Sequence, residues 1–161
     1  MPGARRPLSG GGEPESGYML AFVVFASPCH CTRLRRAAQR VTQLYDAALD
    51  GTGLKITQFS LLRAIERDGE PTLGRLSGAT GLDRSTLGRD VRVLRRAGFV
   101  ALGHGTDGRT TVVSLTEAGR ERLRAALPHW ERTQRRLDEA LGPDGRSRLE
   151  EILGRVAALD A

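Results

Sequence analysis

At 161 residues, 39% of them hydrophobic and 4% aromatic, the chain is sized for one domain, or one domain plus oligomerisation helices, with a core that needs no disulfide staples. Its 25 Lys and Arg against 19 Asp and Glu leave a net charge of +6, which favours a polyanionic partner. Two cysteines make neither a disulfide framework nor a four-ligand zinc site, and no apolar run reaches the roughly 20 residues of a membrane span, so a cytoplasmic location is expected.

Residues 1–28 read as an N-terminal extension. Residues 1–17 are rich in Gly, Pro and Ser and are expected to be disordered. Tyr18 to Ala26 (YMLAFVVFA) resembles the hydrophobic part of a signal peptide, but the motif that follows has no work outside the cell. An extra packing segment, or a start codon at Met19, is the plainer reading. Cys29, His30 and Cys31 then open a helix, Thr32 to Leu49, with apolar residues at 34, 37, 38, 41, 44, 45, 48 and 49. A helix N-terminus lowers a thiol pKa, which makes Cys29 and Cys31 candidate redox sensors. Buried packing is the competing reading, and a C-x-C pair alone has too few ligands for a metal.

Thr57 is expected to cap a helix over Gln58–Arg67 that ends at Gly69 and Pro71 and turns Phe59, Leu62 and Ile65 inward. Thr72 caps a short helix to Thr80, and Gly81 and Leu82 lead tightly into a third, about Asp83 to Ala97, which is helix-turn-helix spacing. This third helix (DRSTLGRDVRVLRRA) places Leu87, Val91 and Leu94 on one side and Ser85, Arg89, Arg92 and Arg96 on the other. From Arg75 to Arg109 there are seven arginines against three aspartates, so the basicity concentrates here. Phe99–His104 and Thr110–Leu115 follow as a hairpin with a charged, turn-rich tip.

Thr116 caps a long helix to about Leu141, with Glu117 in its first turn and Pro128 as an expected kink; a last helix, about Asp144 to Leu159, presents Leu149, Ile152, Leu153, Val156 and Leu159. A winged helix needs neither the first helix nor these two. Their stripes call for burial against a second copy, with wrapping of one monomer as the alternative. The fold class is therefore mainly α with a small β-hairpin wing: a winged helix-turn-helix over 54–115, flanked within 29–161 by dimerisation helices at 29–53 and 116–161.

The arginine face predicts binding to double-stranded DNA, and a dimer predicts a pseudo-palindromic operator. An architectural or non-specific nucleic-acid-binding winged helix is the competing reading. No enzyme motif is present: His30, His104 and His129 are isolated, and no glycine-rich phosphate loop or nucleophile motif occurs. No cofactor is expected. Tyr45, Phe59, His129 and Trp130 could wall a pocket for a small aromatic or phenolic effector, although each is also ordinary core material.

LKITQFSLLRAI at Leu54–Ile65, DRSTLGRDVRVLRRAGFV at Asp83–Val100 and DGRTTVVSLTEAGRE at Asp107–Glu121 resemble the MarR family of bacterial transcriptional regulators. The resemblance spans about Cys29 to Leu159. It implies a homodimeric winged-helix repressor with an interface from its first, fifth and sixth helices, commonly released from DNA by a small molecule or oxidant. It further implies DNA contacts from Arg84, Ser85, Thr86 and Arg89, and from a wing in which Asp107 braces Arg109; the helical face adds Arg92 and Arg96 as phosphate contacts. Gly88 stands where many members carry Ser or Thr, and the wing tip lacks the commoner double arginine.

Overall fold

The computed structural model describes residues 27–105 and 108–159. Contacts divide the chain into two compact units, Met1–Val41 and Thr42–Ala161. The expectations for residues 1–26, including the apolar run and Met19, lie outside the described residues, as does Asp107 in the wing.

In the first unit the described residues are 27–41. Helix α1 is assigned over His30–Leu49, two residues earlier than the pattern predicts, because the Cys29 carbonyl already accepts from the Arg33 amide at 3.1 Å. In this unit Leu34 and Val41 are exposed.

In the second unit the end of α1 buries Tyr45 and Leu49 and leads through a 3₁₀ turn, Asp50–Thr52, to helix α2, Ile56–Asp68. The expected cap at Thr57 is wrong. Lys55 is the capping position: its amide donates to Gln58 Oε1 at 3.0 Å, and the Ile56 amide donates to Asp46 Oδ1 at 2.8 Å. Asp46 comes from α1, so the start of α2 is fixed by a tertiary contact and moves outward from Thr57. Gly69 ends α2 at φ +79°, with its amide on the Ile65 carbonyl.

Helix α3 (Leu73–Thr80) is capped as expected by Thr72, whose hydroxyl accepts from the Arg75 amide at 3.2 Å. Helix α4 (Arg84–Arg96) follows, then strand β1 (Val100–His104) paired antiparallel to β2 (Thr111–Leu115), with Val100 opposite Leu115 and His104 opposite Thr111. The segment before α3 joins this sheet: Thr72 bridges Val112, and the Val113 amide donates to the Pro71 carbonyl at 3.0 Å. The middle and outer part of β2 is therefore tied to the segment that leads into α3.

Helix α5 (Glu117–Leu141) runs without interruption through Pro128, which cannot donate to the Arg124 carbonyl. Helix α6 (Gly145–Ala157) has no buried residue. One core unites the second unit: Leu61, Leu62 and Ile65 of α2 are fully buried with Leu76 of α3, Leu94 of α4 and Val113 of β2.

A close backbone approach joins the first turn of α5 to Phe99, just before β1. A Cβ added at Gly119 would overlap the Phe99 carbonyl oxygen, so only glycine fits. Gly119→Ala should cost about 1–3 kcal/mol by overpacking against backbone, seen as a lower urea midpoint; unchanged stability would show that the helix start shifts freely.

Candidate nucleic-acid interface

Asp83 starts α4 in extended conformation, and four donors converge on its carboxylate. Oδ1 accepts from the amides of Ser85 (2.9 Å) and Thr86 (3.0 Å) and from Ser85 Oγ (2.6 Å); Oδ2 accepts from Thr86 Oγ1 (2.7 Å). The Ser85 hydroxyl, then the amide and hydroxyl of Thr86, hold the Asp83 carboxyl far below the ordinary carboxylate range. The helix end is set by Gly98 at φ +76°. The turn before α4 is fixed as firmly: Gly81 takes φ +67°, and Ser77 Oγ donates to the Leu82 carbonyl at 2.8 Å.

Leu87, Val91 and Leu94 seat the helix in the core, so the opposite face must point to solvent. Arg84, Ser85, Arg89, Arg92 and Arg96 are all exposed and Thr86 is half-buried, so one helix presents all the residues predicted for it. The Arg92 side chain folds back on its own helix, where its Nε donates to the Gly88 carbonyl at 2.9 Å. Among the described residues no arginine of α4 enters an ion pair, whereas Arg120 and Arg124 share Glu117 and Arg146 holds Glu150. A cationic face without acidic partners is one from which phosphate does not have to displace a carboxylate.

The same helix carries a group that the sequence reading passed over. Asp90 lies between Leu87 and Leu94 on the inward face, is 9% exposed, and its Oδ2 has no hydrogen-bond partner among the described residues. The signal was available, since a residue three after Leu87 and four before Leu94 shares their side. Arg109 is exposed at the wing tip, where Gly108 turns back at φ +66° with its amide on the Gly105 carbonyl.

A separate cavity of about 460 Å³ lies among α2, α3 and α5, lined by Phe59, Ser60, Arg63, Glu66, Thr80 and Trp130 among others. Phe59 and Trp130 stack with ring centroids 5.8 Å apart, and the Arg63 guanidinium lies 4.8 Å from the Trp130 ring centre. Two of the four expected pocket residues are therefore together. Tyr45 and His129 do not line it. Tyr45 is buried, which raises its phenol pKa, with the charge of Asp138 adding to the effect. His129 Nδ1 faces Arg132 Nη2 at 3.0 Å and must accept from it, because a guanidinium only donates. Arg63 was missed because its charge reads as surface in sequence, and its position over Trp130 exists only once α2 meets α5.

Cys29 and Cys31 are both exposed free thiols, so neither is a buried filler in this chain. The Thr32 amide and hydroxyl, with a smaller contribution from the Cys31 amide, lower the Cys29 pKa. Among the described residues no three His, Cys, Asp or Glu side chains come together in a metal-holding group, and no helix is long and apolar enough to cross a membrane.

A family model described as MarR family matches residues 52–110, from the turn before α2 into the wing. No curated protein matches the chain at a significant level. Among solved structures, the transcriptional regulator MosR of M. tuberculosis, in complex with DNA, is 38% identical, with 80% of this chain and 96% of that chain covered at a TM-score of 0.70. BpsR of Bordetella bronchiseptica, whose DNA binding is regulated by 6-hydroxynicotinic acid, is 25% identical over 84% of this chain and 97% of its own, at a TM-score of 0.76. A probable transcriptional regulator from Pseudomonas aeruginosa is 28% identical over 80% and 97%, at 0.73.

The Asp83 cap makes a prediction with a defined sign. In Asp83→Ala the amides of Ser85 and Thr86 lose their acceptor and should exchange faster with solvent deuterium at neutral pH. Because the folded-state pKa is depressed, the stability Asp83 contributes is present above its unfolded pKa of about 4 and lost as pH falls below it. Wild type and variant should therefore converge in melting temperature in acid; a constant gap across pH would assign the cap to something other than its charge.

Proposed function

The chain belongs to the MarR family, and on that footing we propose that it is a homodimeric, sequence-specific regulator of transcription that binds double-stranded DNA through α4 and the wing and is released by a small molecule or an oxidant. The observation that carries the reading is the solvent-facing arginine row of α4, anchored by Leu87, Val91 and Leu94 and, among the described residues, outside every ion pair. Residues 54–115 form the DNA-binding region in this proposal, 29–53 and 116–161 the dimerisation helices, and 1–28 an N-terminal extension. Its place of work is the cytoplasm, where the DNA is.

Each part of the interface has a physical task. Arg84 and Arg89, in the N-terminal half of α4, have the planar fork that reads guanine O6 and N7 together. Arg92 and Arg96, farther along the same face, meet phosphate, and Arg109 at the wing tip enters the minor groove, with Asp107 bracing it. In the second unit α6 leaves Leu149, Ile152, Leu153 and Val156 between 41% and 53% exposed, a stripe that burial against a second copy would remove from water. A dimer sets two copies of α4 about 34–36 Å apart, in successive major grooves of a pseudo-palindromic operator, and repression follows from occupancy.

Two sensors are compatible with the site. The cavity flanked by Phe59, Arg63 and Trp130 suits a planar aromatic or phenolic effector and adjoins α3, the first helix of the helix-turn-helix. Cys29 and Cys31 suit an oxidant, because both thiols are exposed and the lowered pKa of Cys29 favours the thiolate that peroxide converts to sulfenic acid. Mild peroxide should then abolish DNA binding, reductant should restore it, and Cys29→Ser/Cys31→Ser should be indifferent; binding unchanged by peroxide would remove the cysteines from the mechanism.

Selection from a randomised duplex pool at near-physiological salt tests the main reading. We expect a pseudo-palindrome with half-sites one helical turn apart. Arg89→Ala should lose about 1–3 kcal/mol on the selected duplex and relax specificity, while Arg96→Ala should weaken all sequences alike and flatten the salt dependence. Tight, salt-sensitive binding that selects no motif would establish the architectural reading instead.

A further inference from the structure

The first turn of α4 carries two hydroxyls on the face proposed to read DNA, and the structure fixes which way their hydrogens point. Ser85 Oγ lies 2.6 Å from Asp83 Oδ1, and Thr86 Oγ1 lies 2.7 Å from Asp83 Oδ2. An ionised carboxylate has no hydrogen to give, so in both pairs the hydroxyl donates and the carboxylate accepts. Asp83 is held ionised by these bonds together with those from the Ser85 and Thr86 amides. Each hydroxyl has one hydrogen. With that hydrogen turned inward, only lone pairs remain for a ligand.

The base edges of the major groove divide sharply on this point. Guanine O6 and N7 and thymine O4 are acceptors, as is a phosphate oxygen, whereas adenine N6 and cytosine N4 carry amino hydrogens. A hydroxyl that can only accept pairs with the second group and leaves the first unpaired. Arg84 and Arg89, which can only donate, have the opposite preference. The two residue types on this helix face are therefore complementary readers.

We propose that Asp83 is a positioning residue that fixes Ser85 and Thr86 as acceptors, so that the first turn of α4 selects bases presenting an amino group, adenine N6 or cytosine N4. This rests on the reading of α4 as the DNA-reading helix and adds to it a specificity that no arginine supplies. Asp83 touches no base; it acts through the two hydroxyls. The geometry also predicts an asymmetric response to Asp83→Asn. Asparagine caps helices as well as aspartate, and with its oxygen kept on the two amides, and on Ser85 Oγ, its NH₂ takes the place of Oδ2. That NH₂ donates to Thr86 Oγ1 and frees the Thr86 hydrogen to point outward, while Ser85 stays an acceptor.

The experiment uses the full-length protein and the duplex it selects, with single amino groups deleted one position at a time: purine in place of adenine, or pyrimidin-2-one in place of cytosine. Dissociation constants are measured for wild type, Ser85→Ala, Thr86→Ala and Asp83→Asn, with a melting curve for each. At one position per hydroxyl, amino deletion should weaken wild-type binding by roughly 2- to 10-fold, the range of one hydrogen bond. That loss should vanish in the matching alanine variant. In Asp83→Asn the Thr86-coupled loss should vanish and the Ser85-coupled loss should persist, at a melting temperature close to wild type. A merely structural cap would not move this coupling. If no amino deletion couples to either hydroxyl, the proposal is wrong; if Asp83→Asn preserves both couplings, Asp83 does not set the polarity. A wild type that selects no duplex overturns the DNA-reading proposal itself, and this one falls with it.

Discussion

One hydroxyl joins the helix proposed to read DNA to the long helix behind it. Thr116 Oγ1 donates to the Gly98 carbonyl at 2.6 Å, just past the end of α4, and accepts from the Gly119 amide at 3.0 Å in the first turn of α5. Beside it the Thr116 amide donates to the Phe99 carbonyl at 3.1 Å, and Gly119 packs where no side chain fits. The end of α4, the start of β1, the end of β2 and the start of α5 thus meet at one joint. Arg122 extends it: its guanidinium donates to the Thr52 carbonyl at 2.9 Å and lies 5.2 Å from the centre of the Phe99 ring.

Around that joint the chain uses arginine in two distinct ways. On α5 and α6 three arginines, Arg120, Arg124 and Arg146, are held by glutamates three, four or seven residues away, at distances of 3.0–3.1 Å, and their charge is spent within the helix surface. On α4 the acids are turned to other tasks: Asp83 collects the amides and hydroxyls of the first turn, and Asp90 faces inward. Among the described residues the arginines between and beyond them have no carboxylate partner. Net charge says only that the chain is basic; the placement of its acids decides where that charge is available.

The same economy governs the apolar surface. Among the described residues the core of the second unit is built from α2, α3, α4, the sheet and Leu123 and Ala126 of α5, and α6 adds no buried residue to it. An amphipathic helix with no buried residue is poorly stabilised by its own chain, because most helix stability in proteins comes from burying one face. That is the physical ground on which a second copy is inferred.

Where the determinants were local, the sequence alone was sufficient. Thr72, Asp83 and Thr116 cap the helices that follow them, Gly69, Gly81 and Gly98 take positive φ at the predicted ends, and the 3.6-residue pattern separates Leu87, Val91 and Leu94 from the arginines. These depend on residues within a turn of one another. Tertiary structure decided whatever needs two distant segments to meet. Asp46 reaches the start of α2 across ten residues and displaces the cap from Thr57; Arg63 finds Trp130 only when α2 packs on α5; Tyr45 and His129 fall away from the cavity they were expected to wall. A hydroxyl's polarity is a finer case of the same division, since the residues are adjacent in sequence, yet only the folded distances assign each hydrogen to Asp83.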